Sequence, residues 1–177
     1  MHHGTLMLGT LIAAGLLAAC SDDDNAVSPP ANAAVSILDQ CDSASFNAGL
    51  GAGTCTRAGS MTLGAFNAEL NANRSVAAWT FNPTSLTLRT GQAIVAMNNG
   101  GEVHTFTEVA QFGGGIVPAL NTASGNPTEA PECADISSAD RIAPGASMTT
   151  DAETTVGVHR YQCCIHPWMR EVVTVTQ

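Results

Sequence analysis

Lysine is absent from this 177-residue chain. Its only permanent cations are six Arg, set against 15 Asp and Glu, for a formal net charge of −9. No basic surface can be assembled to track phosphates, so nucleic acid is not an expected partner. An acidic surface favours basic partners and, at the least, solubility. Histidine is scarce too: of five, only His104, His159 and His166 lie beyond residue 20. Three imidazoles are enough for one mononuclear metal centre and leave none for a second His-rich one. Long apolar runs are also missing. The longest, Leu6 to Ala19, has fourteen residues, too few to cross a bilayer comfortably and of the size of a signal-peptide core.

What is present is concentrated in one stretch, Tyr161 to Met169, reading YQCCIHPWM. It sets a thiolate (Cys163), an imidazole (His166) and a thioether (Met169) in the spacing Cys-x2-His-x2-Met. One imidazole with two soft sulfur donors, completed by a second imidazole, suits copper. Four protein ligands leave no position for a substrate, which points to electron transfer rather than to substrate chemistry. Gly157, His159, Tyr161 and Cys163 share one parity, and so one face of a strand, with Cys163 at its end. Cys164 then faces away. His166 can turn back over the same point, Pro167 stiffens the loop, and Met169 returns as the next strand begins. For the remaining imidazole, His159 is four strand residues from Cys163, roughly 13 Å at 3.3 Å per residue, and too far to share an ion. His104 is left; it follows the Gly100-Gly101 turn and opens a strand. Zinc is the alternative metal, on Cys163, His104 and His166 with Cys164 as a fourth donor, but zinc seldom recruits Met.

The apolar run ends in Leu17-Ala18-Ala19-Cys20, which resembles a bacterial lipobox. That resemblance implies lipidation of Cys20 and an exported protein, a periplasmic or cell-surface lipoprotein held to a membrane by its N-terminal lipid. With Cys20 lipidated and Cys163 a metal ligand, the six Cys leave four: Cys41, Cys55, Cys133 and Cys164. In an oxidising compartment an even remainder predicts two disulfides. Of the three connectivities, Cys41–Cys55 with Cys133–Cys164 is preferred, since the first two are close in sequence.

Residues 1–19 read as the signal segment. Residues 20–60 read as a tether followed by a loop stapled through Cys41 and Cys55; its part 21–35 is acidic, Pro-containing and poor in large apolar side chains, the composition of a flexible linker. Residues 61–73 fit a helix or a first strand. From Arg74 onward the pattern is β, with strands expected over 76–81, around Leu86 and Leu88, and over 92–97, 103–109, 147–150, 154–163 and 170–176. Residues 110–145 form an irregular insertion. The expected fold is all-β, a Greek-key β-sandwich occupying 61–177.

From Arg74 to Gln177, the insertion excepted, the chain resembles the cupredoxins, the type 1 blue copper family, in its amicyanin- and plastocyanin-like members. The resemblance rests on the Cys163–Met169 loop, on the Gly157-x-His159-x-Tyr161-x-Cys163 strand and on the Asn98…His104 segment. It implies a cupredoxin-like sandwich with His104, Cys163 and His166 as strong equatorial ligands of one copper ion and Met169 as a long axial one. It also implies His166 near the surface, with Pro167 and Trp168 forming an electron-transfer patch where redox partner proteins dock. The chain departs from the family pattern at Thr105, where an Asn usually ties the two ligand segments together, at Cys164-Ile165, and at His159, which takes an aromatic core position. The expected function is a one-electron carrier of the cell envelope cycling between Cu(I) and Cu(II). Copper delivery or storage is the competing reading, and a scaffold without metal a further one. No enzyme is expected, since multicopper oxidases and copper nitrite reductases need additional His-rich sites.

Overall fold

The structure is a computed structural model and describes residues 31–177. The signal segment and Cys20 lie outside the described residues. Among these residues, eight strands form two four-stranded sheets. In chain order they are β1 (Ala33–Leu38), β2 (Thr80–Asn82), β3 (Ser85–Arg89), β4 (Ile94–Asn98), β5 (Thr107–Glu108), β6 (Ser147–Thr149), β7 (Gly157–Gln162) and β8 (Arg170–Thr176). One sheet runs β2-β1-β4-β6 and the other β3-β8-β7-β5. β1 pairs parallel with β4, and β3 pairs parallel with β8; the remaining pairs are antiparallel. The molecule is thus an all-β sandwich of the Greek-key type.

Alternation along each strand explains why the two sheets meet. In β1, Val35 and Ile37 are buried; in β8, Val173 and Val175. A period of two sends these side chains to one face, where they meet Phe81, Leu88, Ile94, Ala96 and Tyr161 in a continuous core. At one end of the sandwich that core continues between two helices, α1 (Ser43–Leu50) and α2 (Leu63–Asn73). Each starts at a side chain that accepts an otherwise unpaired N–H: Asp42 from Ser45 at 2.9 Å, Thr62 from Ala65 at 3.2 Å. Their buried faces bring Phe46 and Phe66 onto Trp79, with ring centroids 5.8 and 4.8 Å away.

Several expectations need correcting. The folded unit does not begin at residue 61. Ala33–Leu38, read as the end of a tether and the start of a loop, is an inner strand paired on both sides. Its small residues Ala33, Ala34 and Ser36 mask the alternation of Val35 and Ile37. Residues 61–73 are mostly the helix α2. The strand expected over 103–109 shrinks to β5, because His104 leaves the ladder to make a single bridge with Ile142. The strand expected over 76–81 is confined to Thr80–Asn82, after a turn closed by Trp79 N–H on the Val76 carbonyl. The insertion is not structureless: it holds the short helices α3 (Pro118–Ala123) and α4 (Pro131–Ala134). Cys133, from α4, is bonded to Cys164, so the insertion is tied to the segment that follows β7. The second bridge joins Cys41 to Cys55.

Candidate metal centre

Strand β7 delivers Cys163 into the interior, fully buried and the one free cysteine among the described residues. The chain then closes on itself. The Cys163 N–H donates to the Met169 carbonyl at 3.0 Å and the Met169 N–H to the His166 carbonyl at 2.9 Å. This seven-residue loop carries His166 back over Cys163, with Sγ to His166 Nδ1 at 3.8 Å. Met169 closes the loop and is buried. From the other sheet connection, His104 places its Nδ1 3.7 Å from the same sulfur. All three donor atoms lie within 4.8 Å of one another.

His104 is positioned by a rigid turn. Asn98 donates to the carbonyls of Glu102 and Ile142, both at 2.8 Å, and accepts the Gly100 N–H. The buried carboxylate of Asp39 accepts the N–H groups of Gly101 and Glu102 at 2.8 and 3.0 Å. The approach is so close that a Cβ on Gly100 would fall 2.0 Å from Asp39 Oδ2, and one on Gly101 2.6 Å from Cys41 Sγ. Only glycine fits at these two positions. The same Asp39 oxygen lies 2.9 Å from His104 Nε2. A carboxylate there accepts a hydrogen bond from Nε2–H and leaves Nδ1, the atom facing Cys163, with a lone pair for a metal.

Asp39 was not visible as a site residue in the sequence, being 65 positions from His104. Glu102 was also missed, although it stands two residues before His104. Its Oε2 lies 3.6 Å from His166 Nε2 and accepts the Trp79 indole N–H at 2.7 Å. Trp79, buried in the core, therefore also fixes this carboxylate. Each imidazole has sulfur on one side and a carboxylate on the other.

Thr105, noted above as a departure, ties the segments of His104 and Cys163 together. Its hydroxyl accepts the Cys164 N–H at 2.8 Å, and its own N–H donates to Cys163 Sγ at 3.5 Å. Burial alone would raise the Cys163 thiol, but hydrogen bonds and charge from His104 and His166 outweigh it and hold the thiol well below its ordinary range. His104 is raised: burial opposes its charged form, and the hydrogen bonds to Asp39 and Cys163 overcome that opposition. Burial likewise opposes ionisation of Asp39, yet His104 and the two backbone N–H groups hold it well below the usual carboxylate range. Burial pushes Glu102 up, partly offset by His166 and the Trp79 N–H.

The donor set fits a metal ion. Metal bonds of about 2.0 Å to an imidazole nitrogen and about 2.3 Å to a thiolate sulfur, opened to 120°, place S and N about 3.7 Å apart. The two measured separations are 3.7 and 3.8 Å. Cys164 is bonded to Cys133 and is not available as a fourth donor. His159 is not part of the group; it binds Glu108, Glu153 and the Thr155 carbonyl instead. The surface position expected for His166 is not found. His166 is 3% exposed, Pro167 is buried and Trp168 half-buried. Trp168 packs edge-on against His166 at 5.5 Å and against Phe66 of α2 at 5.9 Å. Helix α2, through Phe66, covers this edge.

No family model and no curated protein matches the chain. Solved structures that are similar include a purple cupredoxin from Nitrosopumilus maritimus, 14% identical, with a TM-score of 0.46, covering 82% of this chain and 100% of its own. An oxidised plastocyanin from Dryopteris crassirhizoma is 17% identical, TM-score 0.42, with 81% and 100% covered. An amicyanin variant with Cu(I) is 17% identical, TM-score 0.39, with 58% and 78% covered.

Proposed function

We propose that His104, Cys163 and His166, with Met169, hold one copper ion in a type 1 centre, and that the protein is a one-electron carrier of the bacterial cell envelope. The observation that carries this reading is the convergence of two Nδ1 atoms on one buried sulfur, at 3.7 and 3.8 Å. Bound there, copper supplies reversible one-electron exchange between Cu(I) and Cu(II). The residues supply the rest. Cys163 is held as a thiolate, Asp39 and Glu102 fix the imidazole rings, and Thr105 locks the two ligand segments in register. A rigid donor set limits rearrangement between oxidation states. All three donors are nearly fully buried, which suits electron passage through the protein more than binding of a substrate.

The covering helices move the expected docking face outward. An apolar cavity of about 340 Å³ lies over the site, with Phe46, Leu50, Leu63, Phe66 and Leu120 among its walls and His166 and Glu102 at its polar end. Leu50 is 56% exposed at its rim. A redox partner protein docks on this face, with Trp168 as the aromatic contact between His166 and the surface. A lipid on Cys20 tethers the domain to a membrane; the lipobox-like Leu17–Cys20 supports this. Copper delivery or storage is the second reading, and the near-complete burial of the donors opposes the facile exchange it requires.

Absorption and EPR spectra of the copper-loaded protein test the main reading. The expected result is an intense band near the red end of the visible range, lost in C163S. A colourless oxidised protein, or a C163S protein that keeps the band, would overturn it.

A further inference from the structure

A second group of donors stands on the same strand, away from the candidate centre. Glu108 in β5 pairs directly with Tyr161 in β7, and His159 lies two residues before Tyr161. All three side chains therefore share one sheet face. Glu153 reaches the same point from the loop before β7. Its main chain is fixed on both sides, donating to the Gln92 carbonyl at 2.8 Å and accepting the Gly91 N–H at 2.7 Å. Tyr161 donates its hydroxyl to Glu153 Oε1, which leaves Oε2 turned toward His159.

The ring of His159 is fixed from outside the group. Its Nε2 is 2.8 Å from the Thr155 carbonyl. A carbonyl only accepts, so Nε2 carries a hydrogen. Nδ1 is then the coordinating nitrogen of the neutral ring, and it faces Glu108 Oε1 at 2.7 Å and Glu153 Oε2 at 3.3 Å. The three donor atoms lie within 4.8 Å of one another, and two of them are carboxylates, a grouping that calls for a cation. A proton on Nδ1 supplies one charge against two carboxylates. The surrounding cavity, about 480 Å³ and open to solvent, adds Asp140 and Asp151 to its walls and has no Arg among them. One proton leaves this basin strongly negative.

We propose that His159, Glu108 and Glu153 form a second metal site, for a divalent first-row transition cation with open positions facing the cavity. Metal bonds of about 2.0–2.2 Å at right angles set neighbouring donors about 3 Å apart, between the two separations measured. One imidazole with two carboxylates is a nitrogen–oxygen set, unlike the sulfur-bearing candidate centre. The two sites therefore report separately.

Cobalt(II) is the probe. Wild type and C163S are titrated and bound metal is counted after dialysis, with Zn²⁺ as a competitor. The expected result is one Co²⁺ per C163S chain, with weak visible bands and no thiolate charge-transfer band. Affinity should fall about tenfold or more on adding Glu108→Gln or His159→Gln. Glu108 is half-exposed, so its variant keeps the fold even if the His159 variant does not; circular dichroism checks both. No uptake by C163S, or uptake unchanged by Glu108→Gln, overturns the proposal. Absence of the thiolate band in wild type would count against the copper centre alone.

Discussion

Asp39 Oδ2 sits 2.9 Å from His104 Nε2, both side chains essentially sealed from solvent. One buried carboxylate thereby selects the tautomer of a candidate ligand while it also holds the Gly101 and Glu102 N–H groups. Replacing Asp39 by Ala leaves those donors and the ring unpaired. We expect copper affinity to fall about 10–100-fold and the metal-free fold to lose about 3–5 kcal/mol. Chelator competition and denaturant unfolding measure the two effects.

Thr105 joins the ligand segments through the Cys164 N–H. Thr105→Val keeps the shape and removes the acceptor, stranding a buried donor. The expected cost is about 1–3 kcal/mol, read from urea unfolding, and Thr105→Ser should recover most of it.

Glu171 gives a pH dependence. Neither carboxylate oxygen has a hydrogen-bond partner, and burial raises its pKa from 4.5 to about 8. The folded state therefore keeps a proton that the unfolded chain has already lost between those values. Its contribution to stability is full below the unfolded pKa and is lost as pH rises through the folded one. Unfolding of metal-free protein from pH 4.5 to 8 should show stability falling by at most about 1.4 kcal/mol per pH unit from this group. Glu171→Gln should remove that slope.

The Cys133–Cys164 bridge closes a 31-residue separation and anchors the insertion beside the candidate centre. Replacing both Cys by Ala should cost about 3–4 kcal/mol by chain entropy. It should also loosen the Cys163–Met169 loop. Thermal unfolding and the copper off-rate are the checks.

The convergence of Cys163 and His166 was legible because the two are close in sequence and because strand parity separates Cys163 from Cys164. His104 followed from the shortage of imidazoles. The outer residues were not legible. Asp39 directly follows β1, whose small residues mask its alternation, and nothing local ties it to a histidine 65 positions away. The burial of His166 depends on α1 and α2, whose apolar spacing gives no hint of what they cover. Thr105 read as a departure, whereas its hydroxyl performs the tie.

The most direct test is a crystal structure of copper-loaded protein with anomalous data at the copper absorption edge. The account predicts a peak bounded by His104 Nδ1, Cys163 Sγ and His166 Nδ1. A fully loaded crystal with no density among those three atoms would contradict it.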